Sequence, residues 1–385
     1  RFSGISSAFA SILFVSMPIA PEVVAWPAAS YDLFALFFMQ LTLILYLSFL
    51  EKGKSGFYLG SLVCFIAALL SKEVSVTLMV ILPSMDLLLR GIFGSEDYKN
   101  PIINRVILKS LAKHMFPFML SLLTIFTVRT AQGYHDSPPA IFPFLTLRGT
   151  ARTFWTILSP MNEAIFNSKE TNIIGGLVFF LFLLSVISII YYWKNKPSSY
   201  KRSMIFLAVY FVASLIPINF WVFYYGFSHS LQDSRYLYIS MASLISIFAV
   251  GVTEFGMHGR IRKSLCYGII VITVTFSVIG VINNNKPWQA AEEICLYVPE
   301  ETRRLLPEPH PGAQLYFKDV PMWKSAQVFM GEKALSIAIK SVYKREDINI
   351  HTLSSEEQPP DSDNSYLFVY DPTSSQLKLE QHRNY

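Results

Sequence analysis

The sequence predicts an all-α polytopic membrane protein of about nine membrane helices, followed by a small α/β domain, and three observations predict it. The 385 residues are 52% hydrophobic and only 15% charged, with 31 Phe, and mean hydropathy is +0.39. A chain that apolar cannot keep its surface in water. Apolar segments of membrane-crossing length recur from Gly4 to Ile282. From Asn283 onward the character changes to about one hundred polar and charged residues. The expected division is therefore 1–282 in the membrane and 283–385 outside it. The net charge of +5 is spread between apolar segments, which bears on orientation and gives no reason to expect a nucleic-acid partner.

Helix one is expected over 4–15, and Pro18, Pro21 and Pro27 then hold an extended loop to Ser30. A second helix follows over 31–50, capped by Ser30 with Asp32 in its first turn, where the helix dipole favours a carboxylate. Gly53 and Gly56 end it in a tight basic turn. From Phe57 to Leu89 about thirty apolar residues are interrupted by Ser71-Lys72-Glu73. A lysine and a glutamate at mid-depth in a single span are costly. Two short helices, 57–70 and 74–89, meeting at a wet surface at Lys72, avoid that cost.

Asp86 and Arg90 form an i,i+4 pair at the far end of this hairpin. Arg105, Lys109 and Lys113 beside Ile103, Val106, Ile107 and Leu111 outline an interfacial amphipathic helix, and a separate span follows over 114–128. A loop rich in proline and aromatics, Arg129 to Glu170, carries a second interfacial helix near 147–158. Further spans are expected over 173–192, 204–220, 236–255 and 265–282. In the tail, helices near 288–305 and 334–343 alternate with strands over 314–317 and 366–370. Cys64, Cys266 and Cys295 lack metal or disulfide spacing and read as core filler. Arg1 opens directly onto an apolar segment, as in an excerpt of a longer protein.

Lysine and arginine counts set the orientation. Loops around 52–54, 90–113, 194–202 and 260–263 hold fourteen basic residues, and the alternate set, including the Lys72 turn and the loops ending at Glu170 and Arg235, holds six. The first set is cytoplasmic. The second, with the tail, faces outside or the lumen.

The outer loops carry the candidate functional residues, each with a plainer alternative. Glu22 and Trp26 share a rigid turn; Trp26 also suits an interfacial anchor beside a solvated Glu22. Asp32 is either a functional carboxylate or a dipole-favoured first-turn residue. Lys72 is either an anion-binding cation oriented by Glu73 or one half of a neutralising Lys72–Glu73 pair. Arg129 leaves a span at the outer face, where a snorkelling end cap is equally natural. Asp233-Ser234-Arg235-Tyr236 offers an anion-binding Arg235 beside the Tyr236 hydroxyl, or a helix N-cap with a local Asp233–Arg235 pair. The aromatic run 220–227 reads as an interfacial belt, and His135, Asp136 and His229 lack metal-site spacing.

Taken together, Pro18 to Trp26, Tyr31-Asp32 with the helix it opens, Ala68 to Glu73 and Asp233 to Ile239 resemble the GT-C class of polytopic glycosyltransferases. The nearest branch comprises the protein O-mannosyltransferase-like and transmembrane tetratricopeptide-repeat O-mannosyltransferase relatives. The resemblance covers 1–282, and no repeat follows it. It implies transfer of a sugar, hexosyl or mannosyl, from a polyprenyl-phosphate carrier to a protein or glycan acceptor on the outer face.

On that implication Lys72, Arg129, Arg235 and Tyr236 bind the carrier phosphate. Trp26, Glu73 and Asp233 orient substrate, and Glu22 and Asp32 support catalysis. The family's general base lies on an earlier outer loop, upstream of Arg1 here. Pro21 also departs from the His or Thr that relatives carry before the Glu. No cofactor is expected beyond a weakly bound divalent cation, and the bacterial plasma membrane is favoured over the endoplasmic reticulum. A glycan polymerase or ligase using a lipid-linked oligosaccharide, a transporter and a non-catalytic scaffold remain alternatives. A transporter should show paired halves, and no internal duplication is visible.

Overall fold

A computed structural model describes residues 3–25, 29–89, 101–132, 168–225, 234–257, 259–322, 328–329, 331–354, 356–359 and 364–382. Two compact units divide the chain, Arg1–Asn284 and Asn285–Tyr385. Their boundary falls two residues beyond the expected one.

The first unit is helical: α1 Gly4–Val15, α2 Ala20–Ala25, α3 Ser30–Lys52, α4 Ser55–Ser71, a 3-10 turn Glu73–Thr77, α5 Leu78–Leu89, α6 Pro101–Ala131, α7 Ser168–Tyr192, α8 Ser198–Tyr225, a 3-10 turn Ser234–Leu237, α9 Tyr238–Gly256 and α10 Arg260–Leu305. Among the described residues six helices are long and apolar enough to cross a membrane, and α1 and α4 are shorter apolar helices. One core joins α1, α3, α4, α5, α6, α8 and α9 around Phe9, Met39, Tyr46, Phe65, Leu82, Phe118 and Ile245.

The hairpin around Lys72 forms as the sequence suggests. α4 spans 17 residues, about 25 Å, and α5 spans 12, about 18 Å; each alone falls short of the ~30 Å hydrocarbon layer. Lys72 adopts extended backbone, φ −155° and ψ 138°, and so breaks the helix. The break is stapled by the buried Ser75 hydroxyl, which donates to Ala68 O at 2.9 Å. The start of α4 and the end of α5 return to the same place: Tyr58 donates to His114 O at 2.7 Å, and His114 Nδ1 lies 3.5 Å from Asp86 Oδ2.

Several expectations need correction. The 18–30 segment is not simply extended, because α2 occupies Ala20–Ala25; Pro21 sits in its first turn, where a missing N–H is harmless. Ser30 is inside α3 rather than its cap, which falls on Ala29 with no side-chain bond. The amphipathic segment and the following span are one helix, α6, which continues through Pro117. Likewise the last span and the first helix of the tail are the single helix α10, through Pro287 and Pro299. At Pro117, in the apolar part of α6, such a proline is tolerated where nearby groups satisfy the freed backbone. Arg90, the 147–158 helix, His135, Asp136 and His229 lie outside the described residues, as do the side chains of the aromatic run from Phe220.

The second unit holds a four-stranded sheet, β1 Gln314–Lys318, β2 Asn349–Leu353, β3 Ser365–Asp371 and β4 Gln376–His382, in the order β2-β1-β3-β4. β1 is parallel to β2 and β3, and β4 is antiparallel to β3. A helix, α11 Gly331–Tyr343, provides the crossover from β1 to β2. Leu335 and Ile339 of α11 and Ala291, Ile294 and Val298 of α10 share a core with Leu315, Phe317 and Phe368 of the sheet. β2 and β4 were not expected. They are the two edges of the sheet, and β4 reads Gln-Leu-Lys-Leu-Glu-Gln-His, with too little apolar character to stand out.

Candidate functional site

Two carboxylates are buried at one end of the membrane unit, and each faces a cation from a distant part of the chain. Glu22, on the short helix α2, is 5% exposed. Its Oε2 accepts the Arg235 main-chain N–H at 2.9 Å, and its Oε1 accepts the Arg235 guanidinium at 2.9 Å. Asp32, in the first turn of α3, is 2% exposed and lies 3.6 Å from Lys72 Nζ. The charges of Lys72, Arg235 and Glu73 all act on Asp32. Glu22, Asp32, Lys72 and Arg235 therefore form one electrostatic neighbourhood.

Local structure explains how each side chain arrives. The chain after α1 is held by Asn284 of α10, whose buried side-chain amide donates to Pro18 O at 2.7 Å, and α2 follows directly. Extended Lys72 projects from the break between α4 and the 3-10 turn, so its long side chain reaches the first turn of α3. Arg235 sits in the 3-10 turn that leads into α9. Arg129, at the end of α6, donates to Leu69 O at 3.1 Å, and so places a cation on the last turn of α4, where the helix dipole favours it.

In both pairs the cation is the more exposed partner, 17% against 2% for Lys72–Asp32 and 12% against 6% for Arg235–Glu22. An anion approaching from outside the bundle meets the cations before the carboxylates. Burying an unpaired carboxylate is prohibitive. Each acid therefore fixes its base and tethers two segments in the process.

These pairings differ from the plainer alternatives. Glu22 is not a solvated loop residue. Lys72 pairs with Asp32 across the fold as well as standing beside Glu73 in sequence, and Glu73 itself is exposed at the start of its 3-10 turn. Arg129 is engaged with a helix end. Trp26, Asp233 and the Tyr236 side chain lie outside the described residues. Among the described residues no group of three His, Cys, Asp or Glu side chains could hold a metal ion.

Sequence reading missed a second polar cluster. Tyr46 donates to Asp86 Oδ2 at 2.9 Å, and His114 Nδ1 lies 3.5 Å from the same oxygen, with Phe49 and Tyr58 against the imidazole. Fourteen residues, about 21 Å of helix, separate Tyr46 from Asp32 along α3, so this cluster belongs to the opposite end of the unit. Lys196 and Glu254 also pair there. The available signal was a lone acid, Asp86, in an apolar helix.

No protein-family model, curated protein or solved structure matches this chain. Its functional reading rests on the geometry above.

Proposed function

We propose that this chain is the membrane part of a GT-C-like glycosyltransferase that moves a sugar from a polyprenyl-phosphate carrier to an acceptor. The observation that carries the reading is the gathering of Glu22, Asp32, Lys72 and Arg235 from four separate segments into one neighbourhood, with the cations outermost. This end of the bundle is opposite the loops that hold most of the basic residues, so the positive-inside rule makes it the outer face. The carboxy-terminal unit is assigned to the same side, and the bacterial plasma membrane is the favoured compartment.

Sugar transfer releases the carrier phosphate as an anion, and fixed positive charge stabilises that charge as it develops. Lys72 is suited to the task. Its 3.6 Å separation from Asp32 exceeds the ~2.7–2.9 Å of a charge-assisted hydrogen bond, so turning toward a phosphate oxygen loosens an already loose pair. Arg235, bonded to Glu22 through both main chain and guanidinium, supplies positive charge that does not move. Arg129 adds a cation beside the last turn of α4, and the donor role of the Tyr236 hydroxyl rests on the family resemblance. Asp32 and Glu73 orient acceptor or sugar, and the substrate-orienting role of Trp26 and Asp233 rests on the family resemblance. The prenyl chain lies along lipid-facing helices.

The test is transfer from a polyprenyl-phosphate-linked hexose by the full-length protein in proteoliposomes. Lys72→Ala is expected to abolish turnover while thermal unfolding in detergent stays close to that of the wild type. Wild-type turnover in a folded Lys72→Ala protein would overturn the reading. A reporter fused after Tyr385 tests the orientation, and cytoplasmic behaviour of that reporter would reverse it.

A further inference from the structure

Away from the charged site, α7, α9 and α10 enclose a cavity of about 440 Å³, within the ~300–1,000 Å³ of ligand clefts. α7 and α9 touch at Gly251, where a Cβ would lie 2.1 Å from Ser185 Oγ, and beside this contact is a depression flanked by Leu184, Val252, Leu265 and Ile269. The walls are almost wholly apolar, and Ile187 and Leu265 are more than half exposed, so the groove opens toward lipid.

Among the polar side chains of the lining, two features lie in line. At the mouth the Arg262 guanidinium donates to Tyr192 Oη at 2.7 Å and stands over the Phe255 ring, which pins it in place; the tyrosine uses one of its five N–H donors. One helical turn deeper on α7, Ser188 is 6% exposed and its Oγ has no hydrogen-bond partner among the described residues. Helical serines ordinarily bond back to a carbonyl or find another acceptor, as Ser185 does with Phe248 O. From Tyr192 to Leu181 the groove follows α7 for about 16 Å, roughly half of the ~30 Å hydrocarbon layer and so the depth of one leaflet. Charge at the mouth has one sign. Residues 189–202 and 253–270 contain Lys194, Lys196, Lys201, Arg202, Arg260, Arg262 and Lys263, and their single acid, Glu254, is paired with Lys196.

We propose that this groove is a binding site for one anionic glycerophospholipid. The lipid phosphate sits on Arg262, an ester carbonyl accepts the Ser188 hydroxyl, and one acyl chain fills the channel past Leu184 and Leu265. The basic mouth selects for an anionic headgroup, because a zwitterionic one brings its own cation against the same cluster. The site lies at the opposite end of the unit from Lys72 and Arg235, and does not depend on the transferase reading.

Native mass spectrometry of the purified full chain, in neutral detergent with added phosphatidylglycerol or phosphatidylcholine of matched chains, tests the proposal. The wild type is expected to retain phosphatidylglycerol preferentially. Arg262→Gln should lower that retention about tenfold, the worth of one charge-assisted bond, and leave phosphatidylcholine retention unchanged. Leu265→Trp, which fills the groove, should lower retention of both lipids. Ser188→Ala should weaken an ester-linked lipid and leave its ether-linked analogue unaffected, a difference that loss of folding cannot mimic. Equal retention of the two lipids by the wild type, an Arg262→Gln protein with the wild-type preference, or displacement of the lipid by inorganic phosphate alone would each overturn it.

Discussion

Charged side chains are used in opposite ways in the two units. In the membrane unit the ion pairs are buried and long-range: Glu22 and Arg235 are 213 positions apart, and Asp32 and Lys72 are 40 apart. In the α/β unit they are local and wet: Arg304–Glu301, Arg345–Asp347 and Lys340–Glu346 lie three, two and six positions apart, each with a markedly exposed partner. The difference follows from solvent. A surface pair in water gains little, because water screens it and already solvates both groups. A buried charge must be matched, and removing its partner leaves an uncompensated ion. The membrane unit therefore depends on its few charges for architecture, whereas the α/β unit is held by its apolar sheet core and decorated with charge.

The sharpest way to break this comparison is Arg235→Ala. It takes the guanidinium charge from buried Glu22 while keeping the main-chain N–H bond, and should cost about 3–5 kcal/mol, read as a lowered thermal midpoint in detergent. A loss no larger than that of a surface substitution would show that the pair is solvated. Gly251→Ala should come next, at about 1–3 kcal/mol, because its methyl cannot fit against Ser185 without moving α7 from α9. Tyr46→Phe, which removes one donor from buried Asp86, should cost about 1–2 kcal/mol in the same assay.

At the small end, Arg345→Ala in the α/β unit should leave the unfolding midpoint nearly unchanged. Its guanidinium nevertheless holds the Asp347 carboxyl well below the usual carboxylate range. Asp371 is held low as well, by the Thr373 and Ser374 hydroxyls and main-chain N–H groups in the β3–β4 turn. A depressed folded value means the ionised form is favoured on folding. The contribution is thus complete above the ordinary aspartate value of about 3.9 and disappears as pH falls through the lower folded value. A carboxyl NMR titration should find Asp371 ionised at pH values where an ordinary aspartate is half protonated, and Thr373→Ala combined with Ser374→Ala should raise its midpoint.

Much of the candidate site was legible because it combines two local signals. A charge in an apolar run is costly wherever it stands, so Lys72 drew notice from composition alone, and the helix break at Lys72 follows from that cost. Helix extents were less legible. Breaks were expected at 113/114, where amphipathic gives way to apolar sequence, and between 282 and 288, around Pro287, but α6 and α10 run through both. The edge strands β2 and β4 were hidden as well, since an edge needs few buried side chains.

The sequence by itself determined that roughly the first 282 residues form apolar helices, that the tail is polar α/β, and which acids and bases stand out against an apolar background. Those properties are set by each residue and its near neighbours, through hydrophobicity and backbone preference. Only the tertiary structure decided that Glu22 belongs to Arg235 and Asp32 to Lys72, that Asp86 serves Tyr46 and His114, and that a groove beneath Arg262 lies beside the close contact of α7 and α9 at Gly251. Partner choice over such separations depends on which helices lie side by side, and that is settled by the packing of the whole unit rather than by any stretch of it.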